Sequence, residues 1–524
     1  MFVFIKYFVK YKINFQMISS NKSIYSAEIK KDKKKIKLRC SYKLTLLSLK
    51  NFAKLAEIEE KSIFPYKLLD ENITEYMLLQ KEHFNNENEY ILFTEKYGNM
   101  PNIFNILKEY CINDVHITKK AINKFWKIIT ENGLKNNNRI LTAAKLSIEN
   151  YFYNNHIIKK KISLKYDRLI RKGYFGGRTE VFGNPEENDI ILHYDWNGMY
   201  AQCMCEKVLG GEITKSNKIY NLEQPGFYYI NFYQNLEYPI LPTKYNKKLM
   251  FLNGFLEGWY WFEEILLAID YGVTIIKIID RISCEYYDYF IKNFVTNNNN
   301  IRKISTLHKQ IGKNNNNTFY GRLGMDPERL EEEIISNINN KNYIKTSEIN
   351  GVFLGYTKNE KNISNVLISA SITSKARIKL YKGMMQIIKF NGKLLYTDTD
   401  SIIAAFNKNI YKNILDKPLG EVLFDSKDKN TIINDAVFAI PKTYGIQYND
   451  GREVVKIKGF NNVPNFSLFK ETFYNKGTIE TENTEWSKKD FIITNKKILK
   501  KTNLYSLDKR IWNDNLKNTR PIYI

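Results

Sequence analysis

Apolar positions near residue 400 fall in two short runs with a polar break between them. Lys393-Leu-Leu-Tyr396 leads in and Ile402-Ile-Ala-Ala-Phe406 leads out, with Thr397-Asp398-Thr399-Asp400-Ser401 in the middle, which predicts strand, tight turn, strand. Period-2 alternation then puts Asp398 and Asp400 on one side and Thr397 and Thr399 on the other. A second apolar run, Ile190-Ile-Leu-His-Tyr194, predicts a strand that delivers Asp195 at its end and turns toward a helical Ala201-Gln-Cys-Met-Cys-Glu206. Between these segments the polar positions repeat at helical spacing: Lys309, Lys313 and Asn317 fall at i, i+4, i+8, with Tyr320 close to the same stripe. Amphipathic helices are expected over residues 46–56 and 103–129, and a strand-rich stretch over 220–282. Residues 1–10 are expected to be a residual strand or chain lying ahead of the fold.

These positions carry chemistry. Two carboxylates one residue apart repel each other unless a divalent cation neutralises them, and oxygen-only donors suit magnesium better than zinc. Asp195 would be the third carboxylate of a two-metal site, beside an attacking 3'-hydroxyl and a triphosphate. A row of cations along one helix face is poor for an isolated helix but suits a triphosphate. Taken singly, the first segment also reads as a solvated Asp-rich turn and the lysines as a basic solvated face. Together, and in this order, the segments match the needs of nucleotidyl transfer.

With these residues in view, the chain resembles family B DNA polymerases, in particular the protein-primed branch of linear mitochondrial plasmids and some bacteriophages. Tyr396-Thr-Asp-Thr-Asp-Ser401 resembles motif C, Asp195 to Tyr200 resembles motif A, and Lys313 to Gly321 resembles motif B. Lys442-Thr-Tyr444 resembles the Lys-x-Tyr element that contacts primer and template, and Tyr174-Phe-Gly176-Gly177 the Tyr-x-Gly-Gly element between exonuclease and polymerase modules. The tail from Lys509-Arg510 to Thr519-Arg-Pro521 has the look of the same branch. Three positions depart from the pattern: Gly198 replaces the usual Ser and Ala201 the usual Pro of motif A, and Thr318 replaces Ser in motif B. None removes a metal ligand, and Gly198 is expected to loosen the turn that positions Asp195.

Tyr110-Cys-Ile-Asn-Asp114 resembles the third motif of the 3'-5' exonuclease module, and Cys40 stands where that branch usually has Asp. The Asp-x-Glu strand and the Asn-to-Asp segment that the family places earlier are not found; the one Asp-x-Glu, Asp326-Pro-Glu328, follows motif B. The N-terminal module is therefore expected to be a truncated, inactive exonuclease remnant, since a two-metal nuclease needs several carboxylates.

Composition agrees. Lys and Arg total 80 against 56 acidic residues, a net charge of +24, which favours phosphate backbones and salt-dependent binding. With 43% hydrophobic and 14% aromatic residues the chain is not broadly disordered. Lys, Asn, Ile, Tyr and Phe, residues with A/T-rich codons, are abundant, so part of the bias reflects the genome. Five Cys without a Cys-x-x-Cys pair and five scattered His give neither a zinc site nor a disulfide framework. No apolar run approaches the roughly 18–20 residues of a membrane span.

The expected fold class is α/β (α+β): a truncated ribonuclease-H-like exonuclease module in residues 1–150, then a right-hand polymerase in 151–524. The latter divides into palm (about 165–230 and 346–443), an insertion (about 220–282), fingers (about 301–324), a second insertion (about 328–343) and thumb (about 444–524). The resemblance implies that Asp195 and Asp400 ligate two magnesium ions, manganese being a substitute, with Asp398 assisting. It also implies that Lys309 and Lys313 bind the incoming dNTP, that Asn317 and Tyr320 shape its pocket, and that Tyr200 excludes a 2'-hydroxyl. Tyr174, Gly176, Gly177, Lys442, Tyr444, Lys456 and Lys458 would contact DNA, leaving Tyr110 and Asp114 as the exonuclease remnant. The implied partners are primer-template DNA, dNTPs and a terminal protein, for a monomer in the mitochondrion with no membrane contact. The alternative function is a catalytically decayed, DNA-binding relic of an integrated plasmid gene.

Overall fold

The computed structural model describes residues 2–20, 23–31, 34–59, 62–70, 74–133, 140–155, 157–215, 222–336, 343–349, 352–358, 363–407, 424–426, 433–489, 492–505 and 509–524. It mixes helices with largely antiparallel sheets, as the sequence predicts, in two compact units: Met1–Phe15, Asn154–Val295 and Phe319–Ile524 form one, Gln16–Tyr153 and Thr296–Thr318 the other.

The larger unit is built on one sheet. Its strands run in the order Glu453–Lys456, Thr443–Tyr448, Ile433–Ile440, Asp189–Trp196, Ser401–Asn407, Lys393–Asp398, Thr179–Val181, with Phe424–Ser426 also pairing with Asp189–Trp196. Ile402 to Phe406 are all buried, so this strand is covered on both faces and reads as a continuous apolar run without alternation. One cover is the helix Val366–Lys389, whose small residues allow close approach. A Cβ on Gly383 would lie 2.3 Å from Trp196 Cη2, so the indole that follows Asp195 packs directly on that helix. A second core gathers Phe438, Ile446, Phe466, Phe469, Phe473, Leu504 and Trp512 under the helix Phe466–Tyr474 and the hairpin Thr478–Lys489/Ile492–Asn503.

The expected strand-rich stretch is a four-stranded antiparallel sheet in the order Gly254–Trp261, Phe227–Gln234, Thr274–Asp288, Val208–Lys215. Leu330–Ile335, Val352–Lys358 and Lys345–Ile349 pair antiparallel in that order; of the expected insertion at 328–343, residues 337–342 lie outside the described residues. The expected N-terminal strand is instead the helix Phe2–Lys10, in which Ile5 and Phe8 are buried. That i, i+3 spacing makes one apolar face at helical period and outweighs the β-branched content.

In the smaller unit the amphipathic segments form the helices Leu49–Leu55 and Ile103–Glu131. The first starts later than expected because Leu46 is left-handed (φ 59°) and Ser48 caps the new helix, accepting a hydrogen bond from the Asn51 N–H. Phe52, Phe125, Ile128, Leu146, Leu307 and Ile311 share one core, so the start of the helix Thr306–Leu323 is packed within this unit.

The two asparagine runs also meet here. Asn298 donates to Asn316 Oδ1 (2.9 Å) and accepts from Asn315 Nδ2 (3.1 Å), and Asn316 donates to Asn299 Oδ1 (3.2 Å). Asn298, Asn315 and Asn316 are buried, making an amide ladder between the helices Lys292–Ile301 and Thr306–Leu323. No local pattern assigns residues 297–300 a role; only the pairing reveals one. Asn298→Ala strands a buried donor and a buried acceptor and is expected to lower stability by about 2–3 kcal/mol. Exposed Asn297→Ala is the control, expected within about 0.5 kcal/mol of the parent. Urea unfolding midpoints compare them, and equal midpoints would remove the ladder's energetic role.

Candidate active site

Only Thr399 and Asp400 separate the strands Lys393–Asp398 and Ser401–Asn407. Thr399 is left-handed (φ 69°), its N–H donates to the Arg178 carbonyl (2.8 Å), and the Asp400 N–H donates to the Asp398 carbonyl (2.8 Å). The turn is as tight as predicted, but the alternation expected to carry Asp398 and Asp400 to one side does not run through it. A left-handed residue interrupts the strand period, and the two aspartates have different surroundings. A Cβ on Gly177 would meet Thr399 Cγ2 at 2.7 Å, so the second glycine of the Tyr-x-Gly-Gly element lets this turn approach.

The Asp398 carboxylate accepts from Thr179 Oγ1 (3.0 Å), from Thr399 Oγ1 (3.2 Å), and from Lys442 Nζ at both oxygens (3.0 and 3.1 Å). Lys442 occupies the turn between Ile433–Ile440 and Thr443–Tyr448 in a left-handed conformation (φ 65°), and its N–H donates to the Tyr396 hydroxyl (3.0 Å). Tyr396 stacks on Phe438 with centroids 5.3 Å apart and touches Tyr444 at 5.4 Å. Lys456 lies opposite Tyr444 in register, with its ammonium 5.6 Å from that ring's centroid, and both Lys456 and Lys458 are exposed.

Asp195 ends the Asp189–Trp196 strand, with Ser401 opposite it on one neighbouring strand and Asp425 opposite it on the other. The Trp196 N–H donates to the Asp400 carbonyl (2.9 Å), so Asp400, in the turn, adjoins the end of the strand that bears Asp195. Gly198 is left-handed (φ 66°) at the start of the helix Met199–Met204, and a Cβ there would have ordinary room, 3.8 Å from the Ala201 Cβ. The expectation that Gly198 loosens this turn is therefore revised: glycine is the residue that takes this backbone conformation without strain.

Tyr200, on that helix, stacks on Tyr320 with centroids 4.4 Å apart and rings 9° from parallel. Burial pushes both phenols up, Tyr320 to about 12, and the negative charge of Asp400 adds to the rise in each. The Tyr320 carbonyl accepts from Ser369 Oγ (2.6 Å), and Gly324 leaves room for the Tyr174 hydroxyl, which its Cβ would meet at 2.6 Å. Lys309, Lys313 and Asn317 are exposed along the helix Thr306–Leu323, which continues to Tyr320.

Sequence reasoning missed the charges behind the Tyr-x-Gly-Gly element. Arg377 and Glu264 are buried and make two bonds of 2.7 Å, while Arg377 Nη1 donates to the carbonyls of Phe175 (2.8 Å) and Gly176 (3.2 Å). Lys375, also buried, binds Glu263 (2.6 Å) and Glu206 (3.2 Å). The available signal was the placement of Lys375 and Arg377 directly after the small and apolar first half of this helix, where burial is tolerable only if both are paired.

In the smaller unit Tyr110 and Asp114 lie one turn apart on Ile103–Glu131. Tyr110 is 7% exposed, hydrogen-bonds Tyr66 through its hydroxyl and is held far above its ordinary pKa, mainly by burial. Asp114 borders an open cleft of about 530 Å³ with Leu49, Val115, Thr118, Lys119 and Ile122. Cys40 borders a second cavity, of about 220 Å³.

The family described as DNA polymerase type B, organellar and viral, matches residues 2–416. The chain belongs to this family. A probable DNA polymerase of Podospora anserina is 26% identical over 499 residues, covering 84% of this type B polymerase chain and 41% of the relative. One from Neurospora intermedia is 27% identical over 486 residues (82% and 48%), and the DNA-directed DNA polymerase of Enterobacteria phage PRD1 is 25% identical over 316 (57% and 54%). The chain thus spans less than half the length of these fungal relatives. Its fold is similar to that of Phi29 DNA polymerase complexed with primer-template DNA and incoming nucleotide, with a TM-score of 0.62 at 17% identity, covering 92% of this chain and 84% of that one. Type B DNA polymerases use divalent metal ions. Asp195 and Asp400 fit such an ion in kind, offering only oxygen donors. Among the described residues no three acidic, His or Cys side chains are grouped to hold one by themselves.

Proposed function

We propose that this chain is a DNA-directed DNA polymerase that adds dNTPs to a primer 3'-hydroxyl by a two-metal mechanism. The observation that carries the reading is the placement of Asp400, in the turn, beside the end of the strand that bears Asp195, with the Tyr200–Tyr320 stack in the field of Asp400. Magnesium or manganese bound at these carboxylates would supply charge neutralisation for the triphosphate and the 3'-oxygen. Asp195 and Asp400 hold the ions. Asp398, already engaged by Lys442, acts by fixing that lysine and the turn rather than by direct coordination. Lys442 and Tyr444 hold the primer end, Lys456 and Lys458 meet the duplex backbone, and Tyr174, Gly176 and Gly177 line the approach to the turn. Lys309 and Lys313 bind the triphosphate, Asn317 and Tyr320 shape the pocket, and the Tyr200 ring lies under the sugar, where it excludes a 2'-hydroxyl.

We further propose protein-primed replication of a linear plasmid-like DNA in the mitochondrion, with a terminal protein as primer. The sequence branch, the fungal relatives and the A/T-rich codon bias support this setting. Among the described residues no helix is long and apolar enough to cross a membrane. Tyr110 and Asp114 serve packing and not proofreading: the Tyr110 phenol is buried and bonded to Tyr66, and Asp114 is one carboxylate where a two-metal nuclease needs several. Primer extension tests both statements. With dNTPs and magnesium the purified chain is expected to extend a matched primer; without dNTPs a mismatched 3' end is expected to stay intact. No extension with any divalent ion overturns the polymerase, and trimming that Asp114→Ala abolishes overturns the loss of proofreading.

A further inference from the structure

The hairpin of Ser23–Lys31 and Lys34–Arg39, in the smaller unit, places like charges opposite one another: Lys30 faces Lys35, while Glu28 faces Lys37 and Ser26 faces Arg39. Directly opposed like charges destabilise a strand pair. By strand period Lys30, Lys35, Lys37 and Arg39 share one face, and Glu28 is the acid among them. Its carboxylate lies 2.7 Å from Lys35, 3.5 Å from Lys30 and 3.9 Å from Lys37, and the hydrogen bond from Lys35 holds it below the usual carboxylate range. One carboxylate cannot neutralise three ammonium groups that are 61%, 55% and 42% exposed.

Guarding a sheet edge against aggregation explains lysines on the outer strand. Lys34–Arg39 is that outer strand, but Lys30 lies on the strand inside it, opposite Lys35, so the cations of this face come from both strands and not from the outer one alone. The residues on this face of each strand repeat at about 6.6 Å, a rigid row of positive charge that a polyanion with regularly spaced charges can match.

We propose that Lys30, Lys35, Lys37 and Arg39 form a second nucleic-acid contact that reads phosphate charge and not sequence, and that uses no residue of the candidate active site. The choice of nucleic acid as the polyanion rests on the polymerase reading. Binding of labelled duplex DNA and of the matching single strand by the full chain, measured by anisotropy across a salt series, tests it against the Lys30→Gln/Lys35→Gln/Lys37→Gln variant. Loss of three phosphate contacts is expected to flatten the log–log salt slope by about 2–3 on duplex and about 2 on single strand, with extension at saturating primer-template unchanged. An unchanged slope on both DNAs overturns the proposal. So does an unchanged slope accompanied by lost binding to phosphatidylserine vesicles, which would give the face to a membrane, or by new aggregation, which would make it an edge guard. Should the triple variant fail to fold, Lys30→Gln alone decides, with an expected flattening of about 0.9 on duplex. A chain that extends no primer yet shows the flattened slope would sink the polymerase reading and leave this contact standing.

Discussion

Asp400→Asn is expected to lower primer extension by roughly three orders of magnitude while DNA binding and thermal stability stay near the parent's. The substitution keeps the shape of the side chain and removes the charge that, on the proposed mechanism, a metal ion would need. It leaves the turn intact, because the turn is held by main-chain bonds: Asp400 N–H to the Asp398 carbonyl and Trp196 N–H to the Asp400 carbonyl. Single-turnover extension on a matched primer measures the effect. Equal rates for the two proteins would remove Asp400 from the metal site, and a lost melting transition would show that the carboxylate has a structural role instead.

Tyr200→Ala is expected to admit ribonucleotides, reducing discrimination by about 10- to 200-fold, the range for a size-based pocket contact worth about 1–3 kcal/mol. Selectivity would fall through loss of a repulsive element, so dNTP use would change less than rNTP use. The ring also stacks on Tyr320, and the variant is expected to bind dNTPs somewhat more weakly as Tyr320 loses its support. Tyr320→Phe separates the two effects, since it keeps the stack and removes only the hydroxyl. Unchanged dNTP/rNTP ratios for Tyr200→Ala in single-turnover assays would reduce Tyr200 to a packing residue.

What the sequence revealed was local. The strand–turn–strand around Thr399 and Asp400, the strand ending in Asp195, and the helix carrying Lys309, Lys313 and Asn317 each follow from periodicity within a dozen or so residues. The family motifs also named Lys442, which the structure brings to Asp398, although no local pattern joins residues 44 positions apart. Features that depend on distant partners stayed hidden. Arg377 and Glu264 are separated by 113 positions, and nothing near either one identifies the other. Thr399 is a similar case: its left-handed backbone is stabilised by Arg178 and made possible by Gly177, two residues from another strand's approach. Phe2–Lys10 was misjudged because a segment of Phe, Val, Ile and Tyr satisfies strand propensity, and the buried pair Ile5 and Phe8 becomes visible only in place.

The amide ladder makes a repetitive tract position-specific. Successive residues of a helix point about 100° apart, so four identical asparagines in a row meet different surroundings: Asn298 is buried and bonded to Asn315 and Asn316, Asn299 accepts from Asn316, and Asn297 and Asn300 are exposed. A tract that composition alone would mark as drift is thereby under unequal constraint along its four residues, and substitutions should be tolerated at Asn297 and Asn300 far more readily than at Asn298.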